Sequence, residues 1–358
     1  MVTTSHALPA KPPGVEPTAL PGANSAVTAQ PGKGLFAKPW WPWLKRIATL
    51  LFFGLVAWLL ISQARAIEWL EVLAVLKTYP AATLVGAVAL AASSYTLYSC
   101  FDLLGRHYTG HPLPRRTVML VTAISYAFNL NLGSWVGGVA FRYRLYSQLG
   151  LAIGTITRVM SLSMLANWIG YILLAGATFT FAPPTLPDNW AISSTGLRWV
   201  GMLLLVIALA YLGLCAFSRQ RVFAVRGHQI ELPSISLALV QVGMGAANWL
   251  IMSGIIFVLL RHQVEFAAVV SVLLLAAIAG VLTHVPGNIG VLEAVFVALL
   301  GHLMPQTELL AALVGYRVLY YLLPLTFGAL AYLAFELRMK HASSPVKSPA
   351  ARSGAQPR

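Results

Sequence analysis

The chain has 358 residues, of which 58% are hydrophobic and 9% charged, against about 25% charged in soluble domains. That deficit excludes a water-soluble core. The formal charge of +14 does not point to nucleic acid, because Lys and Arg sit in short segments beside apolar runs, where the positive-inside rule and anionic headgroups account for them.

Taken in chain order, residues 1–44 are rich in Ala, Pro, Gly, Ser and Thr and read as a disordered basic arm. Residues 45–338 then carry apolar helices at 47–64, 81–104, 118–132, 155–182, 199–217, 234–260, 266–283, 291–304 and 309–335. A bilayer-spanning helix needs roughly 20 apolar residues. Helices satisfy their own backbone in lipid, and no alternating pattern of a β-barrel appears. Ala64-Arg65-Ala66 has the form of a signal cleavage site, but the preceding segment is too long, and an uncleaved first helix is expected. Residues 339–358 read as a disordered cytoplasmic tail. Cys100 and Cys215 lie in apolar runs as small packing residues.

Two breaks interrupt the helices. One is Asn129-Leu-Asn131-Leu-Gly133-Ser-Trp-Val-Gly137-Gly138; the other is His284-Val-Pro286-Gly287-Asn288-Ile-Gly290. Gly and Pro weaken or end helices, and non-helical backbone at membrane depth needs protein or a watery cavity around it. Lys and Arg concentrate in 33–46, 105–117, 218–231 and the tail, which places these segments and both termini in the cytoplasm. The outward loops are then 65–80, 183–198, 261–265 and 302–308. This assignment forces 118–139 to start and end on the cytoplasmic side, and 266–304 to start and end outside. The expected architecture is an all-α polytopic membrane protein with about six full spans and two re-entrant hairpins, arranged as an inverted repeat. The alternative is an ordinary bundle with Gly-rich helix contacts.

Glu293 stands in apolar sequence after Gly290, and Arg317 lies deep in helix 309–335. A charge at membrane depth is costly unless paired or facing water, so the two are candidates for function or for a structural ion pair. Arg142 and Arg144 follow the first break, and guanidinium groups suit phosphate. As positive-inside anchors they have a plainer role. Arg158, one turn inside helix 155–182, reaches a headgroup or snorkels. Asn129, Asn131, Asn167 and Asn248 are default interhelical hydrogen-bond partners, whereas Asn288 lies within the second break. His284 is a further titratable group there, and Pro324 is expected to kink the last helix. Gly133, Gly137, Gly138, Pro286, Gly287 and Gly290 are read as the residues of the breaks. The sequence has no P-loop, HExxH or GxSxG motif, no Cys/His cluster and no clustered carboxylates. No metal, cofactor or enzymatic activity is therefore expected.

At the breaks the sequence resembles the membrane domain of the lysylphosphatidylglycerol synthetase/flippase family, a group that includes related inner-membrane proteins. The resemblance is carried by Gly137-Gly138-Val-Ala-Phe-Arg142-Tyr-Arg144-Leu-Tyr146-Ser-Gln-Leu-Gly150-Leu, by His284-Val-Pro286-Gly287-Asn-Ile-Gly290-Val-Leu-Glu293-Ala, and by Tyr316-Arg317 with Tyr320-Tyr321 and Pro324. These elements span nearly the whole of residues 45–338. The resemblance implies a lipid flippase fold. Two-domain members carry a soluble aminoacyltransferase after the last helix, and this sequence shows none, so lipid synthesis is not expected of it. The family pattern often has a second Gly after Pro-Gly, where this chain has Asn288.

These readings converge on an inner-membrane phospholipid translocator. Arg142, Arg144, Arg158, Asn288, Glu293 and Arg317 would line its headgroup path, and its cargo would be a phospholipid such as an aminoacylated phosphatidylglycerol. Two alternatives stand beside it: a non-transporting scaffold for a separate lipid-modifying enzyme, and a membrane enzyme on a lipid-linked substrate. Membrane phospholipids are the expected partners, and a homo-oligomer is compatible with the sequence.

Overall fold

The computed structural model describes residue 74 and residues 77–187, 193–218, 222–225, 228–283 and 285–343. The N-terminal arm, the expected helix 47–64, Arg219, Arg221, Arg226, His284 and residues 344–358 lie outside them.

Helix α1 (Ala81–Ser99) opens after Pro80 and continues through Cys100 into α2 (Phe101–Thr109). Proline has no N–H to lose and is tolerated at a helix start. The combined run of 29 residues is about 43 Å long at the helical rise, enough to cross a bilayer. Gly110, at φ 64°, ends it in the left-handed conformation that glycine accepts without penalty.

Helix α3 (Arg115–Leu132) stops at Gly133, where φ 84° and ψ 167° exclude an ordinary side chain. The chain then reverses as a π-helical segment (Ser134–Ala140) and α4 (Phe141–Gln148). The returning arm lies so close to α3 that a Cβ on Gly137 would overlap the Phe128 carbonyl, and one on Gly138 would sit 2.7 Å from Asn129 Oδ1. At the far end of α4, Tyr146 donates to Asp102 of α2 at 2.8 Å. Residues 115–148 therefore enter and leave at the same end of the bundle. The sequence reading placed the whole stretch 129–138 in the break. The structure confines the break to Gly133 and puts Gly137 and Gly138 inside the returning arm, where their missing side chains permit the close approach.

Helices α5 (Ile153–Phe181) and α6 (Ser194–Phe217) cross and recross. A Cβ on Gly176 would stand 2.7 Å from Leu205 N, and one on Gly201 2.7 Å from Thr180 N. Small residues are what let helices approach in lipid, where no hydrophobic force drives them together. A short hairpin of β1 (Val222–Val225) and β2 (His228–Glu231) follows, the one pair of strands among the described residues, with Val222 opposite Glu231. Helix α7 (Ile235–Leu259) follows, its first turn capped by Ser234, which accepts from Leu237 N at 3.3 Å.

The second half repeats the plan. Helix α8 (Phe266–Thr283) leads to a 3₁₀ turn (Pro286–Asn288) and α9 (Val291–Leu300). The last span is α10 (Gln306–Tyr316), a π-helical segment (Arg317–Leu322) and α11 (Leu323–Ser343). Gln263 before α8 donates to Glu308 after α9 at 3.2 Å, so 266–304 also enters and leaves at one end. That end carries Thr78, whose carbonyl accepts from Arg261 at 2.9 Å, and lies opposite Asp102. Span, hairpin and span thus run in one sense through α1–α5 and in the opposite sense through α7–α11. Helix α3 packs on α11, and α8 packs on α5, so each hairpin leans on the closing span of the other half.

Six described helical runs are long and apolar enough to cross a membrane: Ala81–Thr109, Ile153–Phe181, Ser194–Phe217, Ile235–Leu259, Phe266–Thr283 and Gln306–Met339. The helical class expected from sequence holds. Five of these runs match expected full spans; Phe266–Thr283 is the arm of a hairpin despite its length.

Candidate functional site

The second break is built around one guanidinium. Gly287 (φ 66°), Asn288 (φ 52°) and Gly290 (φ 79°) carry the chain out of helical geometry, which leaves carbonyls without ladder partners. Arg317 supplies them. Its Nη1 donates to Gly287 O at 2.9 Å and its Nη2 to Asn288 O at 2.7 Å. The same side chain grips Glu293 bidentately, Nη2 to Oε2 at 2.9 Å and Nε to Oε1. Glu293 Oε2 also accepts from Gly290 N at 3.0 Å, closing the first turn of α9. Only a planar, multi-donor cation joins a carboxylate and two carbonyls in this way. The expected pair is therefore formed, and it fixes the break. It is not sealed: Arg317 and Glu293 remain 18% and 20% exposed. Asn288 folds its side chain onto Gly280, where a Cβ would overlap it.

A second ion pair lies toward the other end. Arg142 Nε stands 3.5 Å from Asp102 Oδ2, and the two side chains are 3% and 0% exposed. The Arg142 guanidinium sits 5.7 Å from the Tyr98 ring centroid. Expected at a headgroup surface, Arg142 is instead buried. The reason is helical phase: Phe141, Arg142, Leu145 and Tyr146 form the inward face of α4, and Ser147 points out. Arg144 is half-buried beside α11, where it donates to Tyr332 OH and Glu336 Oε1 at 2.8 Å each. Gln148 adds a bond to the same carboxylate at 3.0 Å. Arg158 is exposed on α5. The structure thus divides the predicted residues. Asn288, Glu293 and Arg317 share one site, Arg142 belongs to a second, Arg144 ties α4 to α11, and Arg158 stands on the surface.

Between the two pairs runs a seam of tyrosines. Tyr321 stacks under Arg317 at 5.6 Å. Tyr316 lies 5.7 Å from Tyr321 and 5.3 Å from Tyr320, ring centre to ring centre. Tyr320 OH shares hydrogen bonds with Ser94 Oγ at 2.6 Å and Tyr126 OH at 2.8 Å. Ser94 in turn donates to Asn248 Oδ1 at 2.7 Å. Tyr126 stacks on Tyr98 at 3.6 Å, which returns the seam to Arg142. Ser94 and Asn248 stand about midway along their spans, so the hydroxyl cluster lies at mid-depth. Interhelical bonds of this kind are worth about 1 kcal/mol each.

Pro324 explains why the seam can form. Lacking an N–H, it strips the Tyr320 carbonyl of its helical donor, and Tyr95 OH donates to that carbonyl at 3.3 Å instead. The neighbouring Tyr321 carbonyl accepts from Asn131 Nδ2 at 3.2 Å, which ties the tip of the first hairpin to the last span. The expected irregularity before Pro324 takes the form of a π-helical turn, a feature frequent at functional sites. It turns Arg317, Tyr320 and Tyr321 inward together.

The sequence reading missed Asp102, Tyr98, Tyr126 and Ser94. Asp102 did carry a signal, as a carboxylate inside Phe101-Asp102-Leu103-Leu104, an apolar stretch. The tyrosines carried none, since an aromatic residue in apolar sequence reads as core. Among the described residues no group of three metal-ligating side chains forms.

Comparison with known proteins adds to this geometry. The model of the lysylphosphatidylglycerol synthase TM region matches residues 46–328. Inner membrane protein YbhN of Escherichia coli (strain K12) is 48% identical over 303 residues, which cover 84% of this chain and 95% of that protein. Uncharacterized protein slr0712 of Synechocystis sp. is 32% identical over 279 residues, 77% of this chain and 86% of that one.

Proposed function

The chain belongs to the lysylphosphatidylglycerol synthase transmembrane-region family, and from that premise we propose that it translocates a phospholipid between the leaflets of the inner membrane. It is a multi-pass membrane protein, and its similarity to an inner membrane protein supports that location. A phospholipid with an aminoacylated glycerol headgroup is one cargo of fitting chemistry. The Lys and Arg distribution supports cytoplasmic termini.

The observation that carries the reading is the partly exposed Glu293–Arg317 pair at a helix break, where α3 of the other hairpin packs against the turn. Transporters place their sites where broken helices meet near mid-depth. A headgroup phosphate would take the guanidinium, and a headgroup cation the carboxylate. Arg158, exposed toward the cytoplasmic end, would gather anionic headgroups, and the acyl tails would stay in the bilayer. The chain acts as a carrier, not a catalyst, and no nucleotide motif supplies energy, so movement is passive or driven by protons or potential. The scaffold alternative rests on Arg219, Arg221 and Arg226, which lie outside the described residues.

The test is a liposome assay. Purified protein is reconstituted with a headgroup-labelled fluorescent phospholipid, and impermeant dithionite is added. Bleaching beyond the outer-leaflet half supports translocation. Bleaching that stops at half for every headgroup tried, with a proton gradient and a potential imposed, would overturn it.

A further inference from the structure

We propose that Asp102 is a proton-binding site whose protonation releases Arg142 to the phosphate of the moving lipid, so that an anionic headgroup crosses together with a proton. The inference rests on the translocator reading and adds its coupling.

Arg142 and Asp102 are both withdrawn from solvent, 3% and 0% exposed. A buried charge persists only with a counter-charge. With Asp102 ionised the pair is neutral and offers a phosphodiester nothing. Bringing the phosphate to Arg142 would then set two anions on one cation. A proton on Asp102 removes the surplus. The proton adds to the carboxylate to give a neutral acid, the phosphate replaces it as the partner of Arg142, and the site stays neutral. When lipid and proton leave on the other side, the original pair re-forms. No covalent bond other than the O–H is made or broken.

The geometry suits this role. Asp102 Oδ2 takes the Tyr146 hydroxyl at 2.8 Å, whereas Oδ1 is buried with no hydrogen-bond partner among the described residues. That oxygen is the place for the proton. His111, in the loop at the same end, has both ring nitrogens buried and unpartnered, with its ring 6.5 Å from that of Tyr146. The groups facing Asp102 are few. Helix α4 brings Arg142 and Tyr146, α1 brings Tyr98, α3 brings Thr122 beside Tyr146, and the loop after α2 brings His111, which itself neighbours Arg106. Helix α5 meets α2 through Val159 against Gly105, its Arg158 being exposed, and α7, which also packs on α2, carries no charged residue. The other pair lacks this freedom, because both Glu293 oxygens are already occupied by Arg317 and Gly290.

The experiment uses the full chain in liposomes with two probes bearing the fluorophore on an acyl chain, phosphatidylglycerol and zwitterionic phosphatidylcholine. Dithionite reports lipid movement, and an entrapped pH dye in weakly buffered vesicles reports protons. For phosphatidylglycerol the wild-type rate is expected to rise as pH falls, by up to about tenfold per unit above the site's midpoint, with dye acidification accompanying inward movement. Phosphatidylcholine, which brings its own cation, should move without a proton signal. Asp102→Asn should lose the pH dependence and the proton signal, and Asp102→Glu should restore both at a shifted midpoint. Phosphatidylglycerol movement with no pH dependence and no proton signal in the wild type would overturn the inference and leave the translocator standing. So would an Asp102→Asn protein with the wild-type profile. If Asp102→Asn does not fold, the wild-type proton signal and the Asp102→Glu midpoint decide. No lipid movement at any pH would remove both readings.

Discussion

Arg317 makes bonds to three separate groups, and its replacement by Lys keeps the charge while losing the fork. Arg317→Lys should leave the Gly287 and Asn288 carbonyls short of donors and cost about 2 kcal/mol or more; a clearly lowered Tm in detergent checks it. Tyr320→Phe removes the hydroxyl shared by Ser94 and Tyr126. About 1 kcal/mol is expected, because each partner is left short of a bond at mid-depth. His111 offers a pH test in the loop outside the spans. Burial and the neighbouring Arg106 hold its imidazole below the usual histidine range. The unfolded chain therefore binds the proton first as pH falls, and stability should decline below the ordinary histidine value. His111→Gln should flatten that part of the curve of Tm against pH. At this scale the sequence was half legible. Glu293 and Arg317 stand out because charge in apolar sequence demands a reason. Arg142 was found but misplaced, because the phase of a short helix decides whether a residue faces lipid headgroups or core. Its partner Asp102 seemed to lie at a helix end, which hid it.

Among the elements, the returning arm of the first hairpin depends on two absent side chains. Gly137→Val would drive a branched side chain into the Phe128 carbonyl. A loss of roughly 2–3 kcal/mol, or failure to fold, is expected, readable as aggregation on size-exclusion chromatography. Gly154, which meets nothing nearby, should accept Ala with little change. The hairpins themselves were legible, since charge counts required both segments to return to the side they left. What the breaks would look like was not. Gly-Gly reads as a helix breaker, yet here the pair sits within a π-helical arm, because tertiary closeness outweighed local propensity. The tyrosine carbonyls before Pro324 show the same thing: the proline announced an irregularity, but only packing could say that Tyr95 and Asn131 would satisfy it.

For the molecule as a whole, the two triplets of opposite sense place the Glu293–Arg317 and Asp102–Arg142 pairs on either side of the hydroxyl seam. Opposite sense predicts opposite exposure. In a background lacking Cys100 and Cys215, Ser147→Cys should label from the cytoplasmic side and Leu303→Cys from the other. Labelling of both from one side would break the topology. On the proposed function, lipid headgroups pass by the second break. Dithionite bleaching in proteoliposomes carrying wild type or a folded Glu293→Gln variant reads this passage out. Bleaching beyond the outer-leaflet half is expected in the wild type, with a return to half in the variant. Wild-type bleaching that stops at half, or a variant that bleaches as the wild type does, would contradict it.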